Sequence, residues 1–336
     1  KVELKTKTKH IPFNIGSRQQ IANRLMDIGW KPKKYTDKGN VIINEEVLAT
    51  IDKPQAKKFL RFFLLQKRVA QIKSWIELFN DKTGRVHGRV MTLKTVTGRM
   101  AHNSPNMAQI PAVRSPYGKE CRDCWTVGNT TTHSVVGTDA SGLELRCLAH
   151  LMNDNKFTET LLNGDIHTHN MKMAGLTDRD QAKTFIYAFM YGAGPAKIGQ
   201  VVGGGSKEGK VLIDRFLKSM PSLKRVRDIV TSTAEKHGII KGIDGRLLRT
   251  RSPHSALNTL IQGAGAVVCK LWLVNIMKRT NASKLDVKLV ASVHDEYQFE
   301  VVNKDVQSFC NITKYAMKDT EKQLQMRCPL DNEYKV

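Results

Sequence analysis

Cysteine is scarce in this sequence, with six among 336 residues. Only Cys121 and Cys124 form a CxxC pair, and His133 is the single nearby residue that could join them, so the spacing does not complete a zinc site. The other four cysteines lie far apart: Cys147, Cys269, Cys310 and Cys328. This pattern favours free thiols in a reducing compartment over a disulfide framework.

Long apolar runs are also missing. The nearest candidate for a membrane span, residues 264–277, is interrupted by Lys270 and falls short of about 18 consecutive apolar residues. The first residues do not show the charge and apolar pattern of a signal peptide. We therefore expect an intracellular, cytoplasmic protein without a membrane partner.

A complete phosphate-binding loop is absent as well. The stretch GQVVGGGSKEGK, residues 199–210, is rich in glycine but lacks the Gly-x4-Gly-Lys-Ser/Thr order and does not follow an apolar strand. Its glycines predict a mobile loop instead.

Acidic residues are strongly outnumbered by basic ones. The chain has 31 Asp and Glu against 54 Lys and Arg, which gives a formal net charge of +23 and a pI of about 9.8. Solubility does not require such an excess, so the composition predicts a polyanionic partner. A chain of 336 residues, 40% of them hydrophobic, can bury a sizeable core and should divide into two or three subdomains.

The segment RDQAKTFIYAFMYGAG, residues 179–194, spaces Arg179, Lys183, Tyr187 and Tyr191 four residues apart, which predicts one shared helix face. Its two glycines favour the end of the helix. The other sides predict a buried surface of Ala182, Phe185, Ile186, Phe189 and Met190. A cationic end beside an aromatic end suits a ligand with phosphates and a flat ring. A solvated cationic edge with half-buried tyrosines is the alternative.

Two separated segments predict the strands of one sheet. Residues 133–139 form an apolar strand that ends at Asp139 and precedes a helix, and residues 284–302 predict two strands joined by a tight turn. The intervening residues 153–280 are mostly helical, and residues 56–80 predict a long basic amphipathic helix. The sequence thus predicts a sheet from distant segments with a helical block inserted between them.

The predicted strand ends carry acidic residues, namely Asp139 on the first segment and Asp295 with Glu296 on the second. Carboxylates supplied by separate strands suit Mg2+, which takes its remaining ligands from water and phosphate oxygens. Two such ions can clamp the attacking and leaving oxygens of a phosphoryl transfer. The alternatives are an ordinary turn aspartate, an exposed hairpin tip, and a capping box formed by Ser141 and Glu144.

These motifs resemble those of family A, the DNA polymerase I family of DNA polymerases, and most closely its branch in T-seven-type short-tailed bacteriophages. The principal motifs are DASGLELR (139–146), similar to the first palm motif, RDQAKTFIYAFMYG (179–192), similar to the fingers helix, and VHDE (293–296), similar to the second palm motif. Three more signatures accompany them: TGRMAHNSPNMAQIPAVRSPYG (97–118), GDIHTHN (164–170) and RSPHSALNTLIQGAGA (251–266). The resemblance covers nearly the whole chain.

The resemblance implies an α+β right-hand fold, with an antiparallel palm sheet, inserted helical fingers and a helical thumb base. The implied domains are a thumb base or connector (1–84), the first part of the palm (85–152), the fingers (153–266) and the second part of the palm (267–336). The implied activity is DNA-dependent DNA polymerisation in phage replication, by two-metal transfer of a dNTP onto a primer 3′-hydroxyl.

The resemblance also implies a role for individual residues. Asp139 and Asp295 would bind two Mg2+ ions, with the Ala140 carbonyl completing the set and Glu296 close by. The implied triphosphate contacts are His167, Arg179 and Lys183, and Lys183 would also protonate the leaving pyrophosphate. Tyr187 would contact the sugar and base. Glu144 and Tyr191 would form a steric gate against a ribose 2′-hydroxyl. The implied contacts in the minor groove of primer-template DNA are Arg99, His254, Asn258 and Gln262.

The chain also departs from the family pattern. Complete members carry an exonuclease-like domain and a full thumb ahead of the region that begins at Lys1, and the phage branch continues beyond Val336. We therefore expect a fragment or one half of a split polymerase, in an infected bacterial host cell. The expected partners are primer-template DNA, dNTPs, the missing N-terminal portion, a processivity factor and a replicative helicase. A single-subunit RNA polymerase and a non-catalytic nucleic-acid-binding fragment without a complete thumb are the alternatives.

Overall fold

The computed structural model describes residues 12–336, which form two compact units. The first unit ends at Phe79, and its helices are α1 (Arg18–Asp27), α2 (Glu45–Ala49) and α3 (Pro54–Glu77). α1 begins after Ser17, whose side chain accepts from Gln20 N–H, and α2 begins after Asn44, which caps it in the same way. The predicted helix 56–80 is α3. The first eleven residues of the predicted thumb base lie outside the described residues.

The second unit runs from Asn80 to Val336. Its strands, the first of which begins at the unit boundary, are β1 (Phe79–Asn80), β2 (Arg85–Val86), β3 (Arg89–Met91), β4 (Ala101–Asn103), β5 (His133–Ala140), β6 (Ile239–Lys241), β7 (Leu247–Arg249), β8 (Val287–Val293), β9 (Glu296–Val302) and β10 (Asn332–Lys335). Its helices are α4 (Gly118–Asp123), α5 (Leu143–Met152), α6 (Asn155–Asn163), α7 (Ile166–Ala174), α8 (Arg179–Met190), α9 (Pro195–Val201), α10 (Ser206–Ser219), α11 (Pro221–His237), α12 (Ala256–Ala282) and α13 (Val306–Gln323). Short 3-10 helices span Met107–Gln109, Pro253–Ser255 and Asn303–Asp305.

The central sheet has the antiparallel strand order β10-β5-β9-β8. Its two inner strands come from the two distant segments that the sequence predicted, and the helices α5 to α12 lie between them in the chain. The edge strand β10 at the C-terminal end of the described residues was not predicted. Because β5 pairs on one side with β9 and on the other with β10, the strand that carries Asp139 is an inner strand of the sheet.

The helical block packs around the buried side of α8. The five residues predicted to face the core are all buried, and Phe185 and Phe189 contact the ring of Phe216 on α10 edge to face, with centroids 5.0 and 5.7 Å apart. α12 is long and apolar enough to cross a membrane, but most of its apolar length is buried inside the protein, as in a core helix. Trp272 on α12 packs against the Tyr297 ring of β9 and joins this helix to the sheet.

The glycine-rich stretch 199–210 was wrongly predicted as a mobile loop. It forms the end of α9 and the start of α10, and only residues 202–205 connect the two helices. A Cβ at Gly199 would lie 1.8 Å from the Gly205 carbonyl oxygen, and a Cβ at Gly209 would lie 1.9 Å from that of Pro195. The glycines are therefore explained by the close approach of two backbones rather than by a need for mobility.

Candidate active site

Two acidic residues meet at one end of the central sheet. Asp139 is the penultimate residue of β5, and Asp295 lies in the tight turn between β8 and β9. His294 in this turn adopts a left-handed backbone with φ of 57°, and the Ala140 N–H donates to the Asp295 carbonyl oxygen at 3.0 Å. Glu296 stands directly opposite Asp139 in the β5–β9 register. The sheet thus places the three predicted carboxylates at neighbouring strand ends.

The negative charges at this end of the sheet oppose one another. The pKa of Asp139 is raised to about 7, chiefly because the surrounding protein partly desolvates its carboxylate, and then because Asp295, Glu296 and other acidic groups repel it. Desolvation is also the largest cause that raises the pKa of Asp295, followed by the negative charge of Glu144. Glu333 on β10, opposite Asp139 on the other side of β5, adds to the negative charge and was not predicted.

This donor set fits a divalent cation that keeps several ligands of its own. Within residues 12–336 no group of three or more His, Cys, Asp or Glu side chains is placed to hold a metal ion. Asp139 and Asp295 instead offer two carboxylates beside the Ala140 backbone, a set of hard oxygen donors that suits Mg2+ with water or phosphate completing the shell. Burial and neighbouring negative charges raise the pKa of both carboxylates, and a bound cation would offset both causes.

Glu144 connects the acidic strand ends to helix α8. Its side chain is about 10% exposed, and its Oε1 accepts both from the Tyr191 hydroxyl at 3.0 Å and from Arg99 Nη2 at 2.8 Å. The alternative of a capping box does not apply, because the residue before α5 is Gly142 with φ of 58°, no side chain caps this helix, and the Ser141 hydroxyl is buried without a partner within residues 12–336. Glu144 therefore serves the Tyr191 and Arg99 contacts rather than the end of its own helix.

The predicted triphosphate residues lie in the first two turns of two helices. His167 is on α7, and Arg179 and Lys183 are on α8. Burial lowers the pKa of His167, and the positive charges of Arg179 and Lys183 lower it further. These three side chains are therefore neighbours. The carboxylate of Asp165, a residue that the sequence reasoning did not single out, lies among them and contacts Arg179.

Tyr187 on α8 and Tyr191, which directly follows this helix, lie near the acidic residues. Their rings stack with centroids 6.4 Å apart and planes 23° apart, and the Tyr187 ring also lies 6.2 Å from that of His167. Burial and the charges of Glu144 and Asp295 raise the pKa of Tyr187, and similar causes raise that of Tyr191 to about 12. The helix face predicted from the four-residue spacing therefore turns toward the carboxylates.

The four predicted DNA contacts divide into two groups. His254 is exposed in the 3-10 helix that precedes α12, and Asn258 and Gln262 follow on α12, where Gln262 Nε2 donates to Asn258 Oδ1 at 2.7 Å. Gly192, which follows Tyr191, is near Asn258 and His254, so these residues border the end of α8. Arg99 is instead held by Glu144.

The structure thus brings the predicted residues of the second unit into one region. Asp165 and Glu333 are the two charged residues of this region that sequence reasoning missed. Asp165 could have been found from its place one residue before a helix that carries a predicted phosphate ligand, since aspartate is a preferred helix cap. No local signal marks Glu333, because its position opposite Asp139 depends on the pairing of β10 with β5.

Comparisons with known proteins identify the family of this chain. The model of DNA polymerase family A matches residues 2–336. The DNA-directed DNA polymerases of Enterobacteria phage T3 and Escherichia phage T7 align with 98% of this chain, at 39% and 40% sequence identity respectively. The chain covers 53% of each of them, and so spans about half the length of these relatives.

A solved structure shares the fold. The POL domain of Pol1 from M. smegmatis, in complex with DNA primer-template and dNTP, superposes with a TM-score of 0.84 at 22% sequence identity. The match covers 96% of this chain and 60% of that chain. It confirms the α+β polymerase fold that the sequence motifs implied.

Proposed function

This chain belongs to DNA polymerase family A, and from that premise we propose that it is the catalytic part of a template-directed DNA polymerase that adds dNTPs to a primer 3′-hydroxyl. The observation that carries the proposal is the Glu144 carboxylate, which the Tyr191 hydroxyl reaches at 3.0 Å. This contact joins the acidic strand ends to a helix whose first turns carry the cations. A nucleotide held there would have its phosphates near Arg179 and Lys183 and its sugar near Tyr187.

We assign Asp139, Asp295 and the Ala140 carbonyl to two divalent ions, with Glu296 beside them. Bound Mg2+ would supply charge neutralisation at the attacking and leaving oxygens of the transfer. The desolvated carboxylates support this assignment, because a nearby cation would offset the burial and the negative charges that raise their pKa values. The β5–β9 pairing holds Asp139, and the bond from the Ala140 N–H to the Asp295 carbonyl oxygen holds the turn that carries Asp295 beside it.

On the nucleotide side, His167, Arg179 and Lys183 would bind the triphosphate. Lys183 is exposed on the second turn of α8 and can also protonate the leaving pyrophosphate. A largely neutral His167 can donate one ring N–H to a phosphate oxygen without competing for the charge that Arg179 and Lys183 provide.

Sugar selection would depend on Glu144, Tyr191 and Tyr187. The hydrogen bond of Tyr191 to Glu144 would close the space that a ribose 2′-hydroxyl needs, and the Arg99 ion pair at 2.8 Å holds the Glu144 carboxylate in place. Arg99, His254, Asn258 and Gln262 would contact the minor groove at the newest base pair. The minor-groove acceptors there are nearly the same for every base pair, so such contacts do not select a sequence.

The wider biological setting is part of the same proposal. The similarity to the phage T3 and T7 polymerases supports a role in phage DNA replication in the cytoplasm of an infected bacterium. The net charge of +23 supports primer-template DNA as the polyanionic partner. An N-terminal exonuclease and thumb portion, a processivity factor and a replicative helicase are the proposed further partners.

The decisive experiment is primer extension with each dNTP and each rNTP, with and without Mg2+, by the whole chain. We expect extension that requires Mg2+ and strongly favours dNTPs. A preference for rNTPs would support an RNA polymerase instead, and binding without extension would support a non-catalytic fragment. Primer-template affinity should fall steeply between 50 and 200 mM salt, roughly 10³-fold or more if six or more phosphates are contacted. A flat salt response would contradict the DNA assignment.

A further inference from the structure

Asp165 is a carboxylate at the cationic end of α8 whose role the proposed function leaves unexplained. Asp165 precedes α7, and its Oδ1 accepts the backbone N–H of His167 at 3.0 Å and that of Thr168 at 3.2 Å. Its Oδ2 accepts the Thr168 hydroxyl at 2.7 Å. These contacts would suffice for an ordinary helix cap.

The same carboxylate also holds Arg179 on the next helix. Arg179 Nε donates to Asp165 Oδ2 at 2.7 Å and its Nη2 donates to Oδ1 at 3.1 Å, which makes a two-point contact that fixes the plane of the guanidinium. Both side chains are about half exposed, so the pair contributes little to stability. The Arg179–Asp165 contact thus adds little to the free energy of unfolding but fixes the orientation of the guanidinium, which indicates a role in ligand binding.

The contact leaves one edge of the guanidinium available. In the described part of the chain, no protein acceptor is bonded to Arg179 Nη1, and His167 lies close enough to Arg179 and Lys183 for their positive charges to lower its pKa. Asp165 therefore connects the first turn of α7, which carries His167, to the first turn of α8, which carries Arg179. Two of the three proposed phosphate ligands are thereby held by one residue.

We propose that Asp165 is a positioning residue for triphosphate binding, which orients the Arg179 guanidinium and fixes it relative to His167. The inference rests on the proposed function, since it concerns the same phosphate-binding residues. A negative charge beside a phosphate site would by itself weaken anion binding. If Asp165 supports triphosphate binding, the gain from orienting Arg179 must exceed the loss from repulsion between Asp165 and the phosphates. Removal of the Asp165 charge should then weaken triphosphate binding rather than strengthen it.

The test is Asp165→Asn, which keeps the cap oxygen and the size of the side chain but removes the charge and the two-point contact. We expect KM for every dNTP to rise about threefold to fivefold, the scale of an exposed ion pair, with kcat at saturating dNTP unchanged. Inhibition by tripolyphosphate, which has no sugar or base, should weaken by the same factor. Asp165→Ser, which also preserves the cap, should behave like Asp165→Asn.

The matched control is Asp178→Asn. Asp178 caps α8 as Asp165 caps α7, accepting the N–H of Asp180 at 2.7 Å and that of Gln181 at 2.9 Å, and within residues 12–336 it forms no ion pair. This variant should leave KM and tripolyphosphate inhibition unchanged. If it raised KM as Asp165→Asn does, helix capping alone would explain the effect and the positioning role would be wrong.

Two further outcomes separate the inference from the proposed function. In an Arg179→Ala background, Asp165→Asn should have no additional effect on KM, because the residue acts through Arg179. If Arg179→Ala itself leaves KM unchanged, the phosphate assignment of the proposed function fails. If Arg179→Ala raises KM while Asp165→Asn leaves it unchanged or lowers it, the inference alone is overturned, and a lowered KM would mean that Asp165 competes with the triphosphate.

Discussion

The candidate site has two halves, the end of the central sheet and the starts of helices α7 and α8, and they shift the pKa of their carboxylates in opposite directions. At the end of the sheet, Asp139 has its pKa raised to about 7 by desolvation and by neighbouring negative charges. At the start of the helices, the hydrogen bond from Arg179 holds the pKa of Asp165 well below its usual range. The sheet end is short of positive charge, whereas the helix end already contains its own counterion.

This contrast identifies what each half still requires. Asp139 and Asp295 repel each other until a cation is bound, which is the electrostatic condition expected of a metal site before metal arrives. At the helix end Arg179 is paired with Asp165, whereas Lys183 forms no ion pair within residues 12–336 and is available to an anionic ligand. The nucleoside triphosphate and divalent ions of the proposed function would satisfy both halves at once.

The largest expected effect comes from removing one charge at the sheet end. Asp139→Asn or Asp295→Asn should lower primer extension by about 10³-fold or more, because each removes a carboxylate that holds the ions stabilising developing charge. Extension kinetics and primer-template binding, measured side by side, check this. DNA affinity should stay nearly unchanged, and substantial turnover by either variant would contradict the two-metal assignment.

A smaller effect is expected at the helix end. Lys183→Ala should lower the rate of the chemical step by about 10²-fold, the usual contribution of a general acid that also stabilises charge, while DNA affinity changes little. Single-turnover kinetics separate the two quantities. Lys172→Ala on α7 is the matched control, and an equal loss of rate and DNA affinity in Lys183→Ala would remove Lys183 from the phosphate site.

The residue between the two halves gives an intermediate test. Tyr187→Phe should increase discrimination against dideoxynucleotides by about tenfold, since the phenol hydroxyl would replace a hydrogen bond that the absent 3′-hydroxyl cannot make. Competition between a dNTP and its dideoxy analogue measures the ratio. Tyr315→Phe, an exposed tyrosine on α13, should leave it unchanged. An unaltered ratio in Tyr187→Phe would refute the sugar contact.

The smallest expected effect is on the melting temperature, which Asp139→Asn should raise and Asp165→Asn should lower at pH 8. Because the Asp139 pKa is raised in the folded state, folding loses stability as pH rises from about 4 to 7. Asp139→Asn should therefore melt at a slightly higher temperature than the parent at pH 8 without divalent ions, and the difference should vanish near pH 4. Asp165→Asn should melt at a slightly lower temperature at pH 8, because the lowered pKa of Asp165 adds stability above pH 4.

Thermal melts of the three proteins across this pH range provide the measurement. Addition of Mg2+ at pH 8 should raise the melting temperature of the parent and of Asp165→Asn but not that of Asp139→Asn, since a bound ion stabilises the folded state only where its ligands remain. A shift of the same sign in both variants would mean that the two carboxylates do not differ in the way their surroundings indicate.

Local features of the site could be predicted from the sequence because they depend on backbone periodicity. The face of α8, its five buried residues and the turn that carries Asp295 follow from spacings of four and two residues. The glycine-rich stretch 199–210 shows the limit of this reasoning. Glycine is compatible both with a mobile loop and with closely packed helices, and only the contacts of Gly199 and Gly209 distinguish the two.

The sequence by itself determined the strands that carry Asp139 and Glu296, the face of α8, the order of the motifs and the family to which they belong. The tertiary structure alone decided which charges meet: Arg99 with Glu144 across 45 residues, Arg179 with Asp165 across 14, and Glu333 with Asp139 through the pairing of β10. The physical reason is that periodicity fixes the direction of a side chain within its own element, whereas its partners depend on how separate elements pack. The opposite pKa shifts of Asp139 and Asp165 follow from that packing, because aspartate is chemically the same residue at both positions.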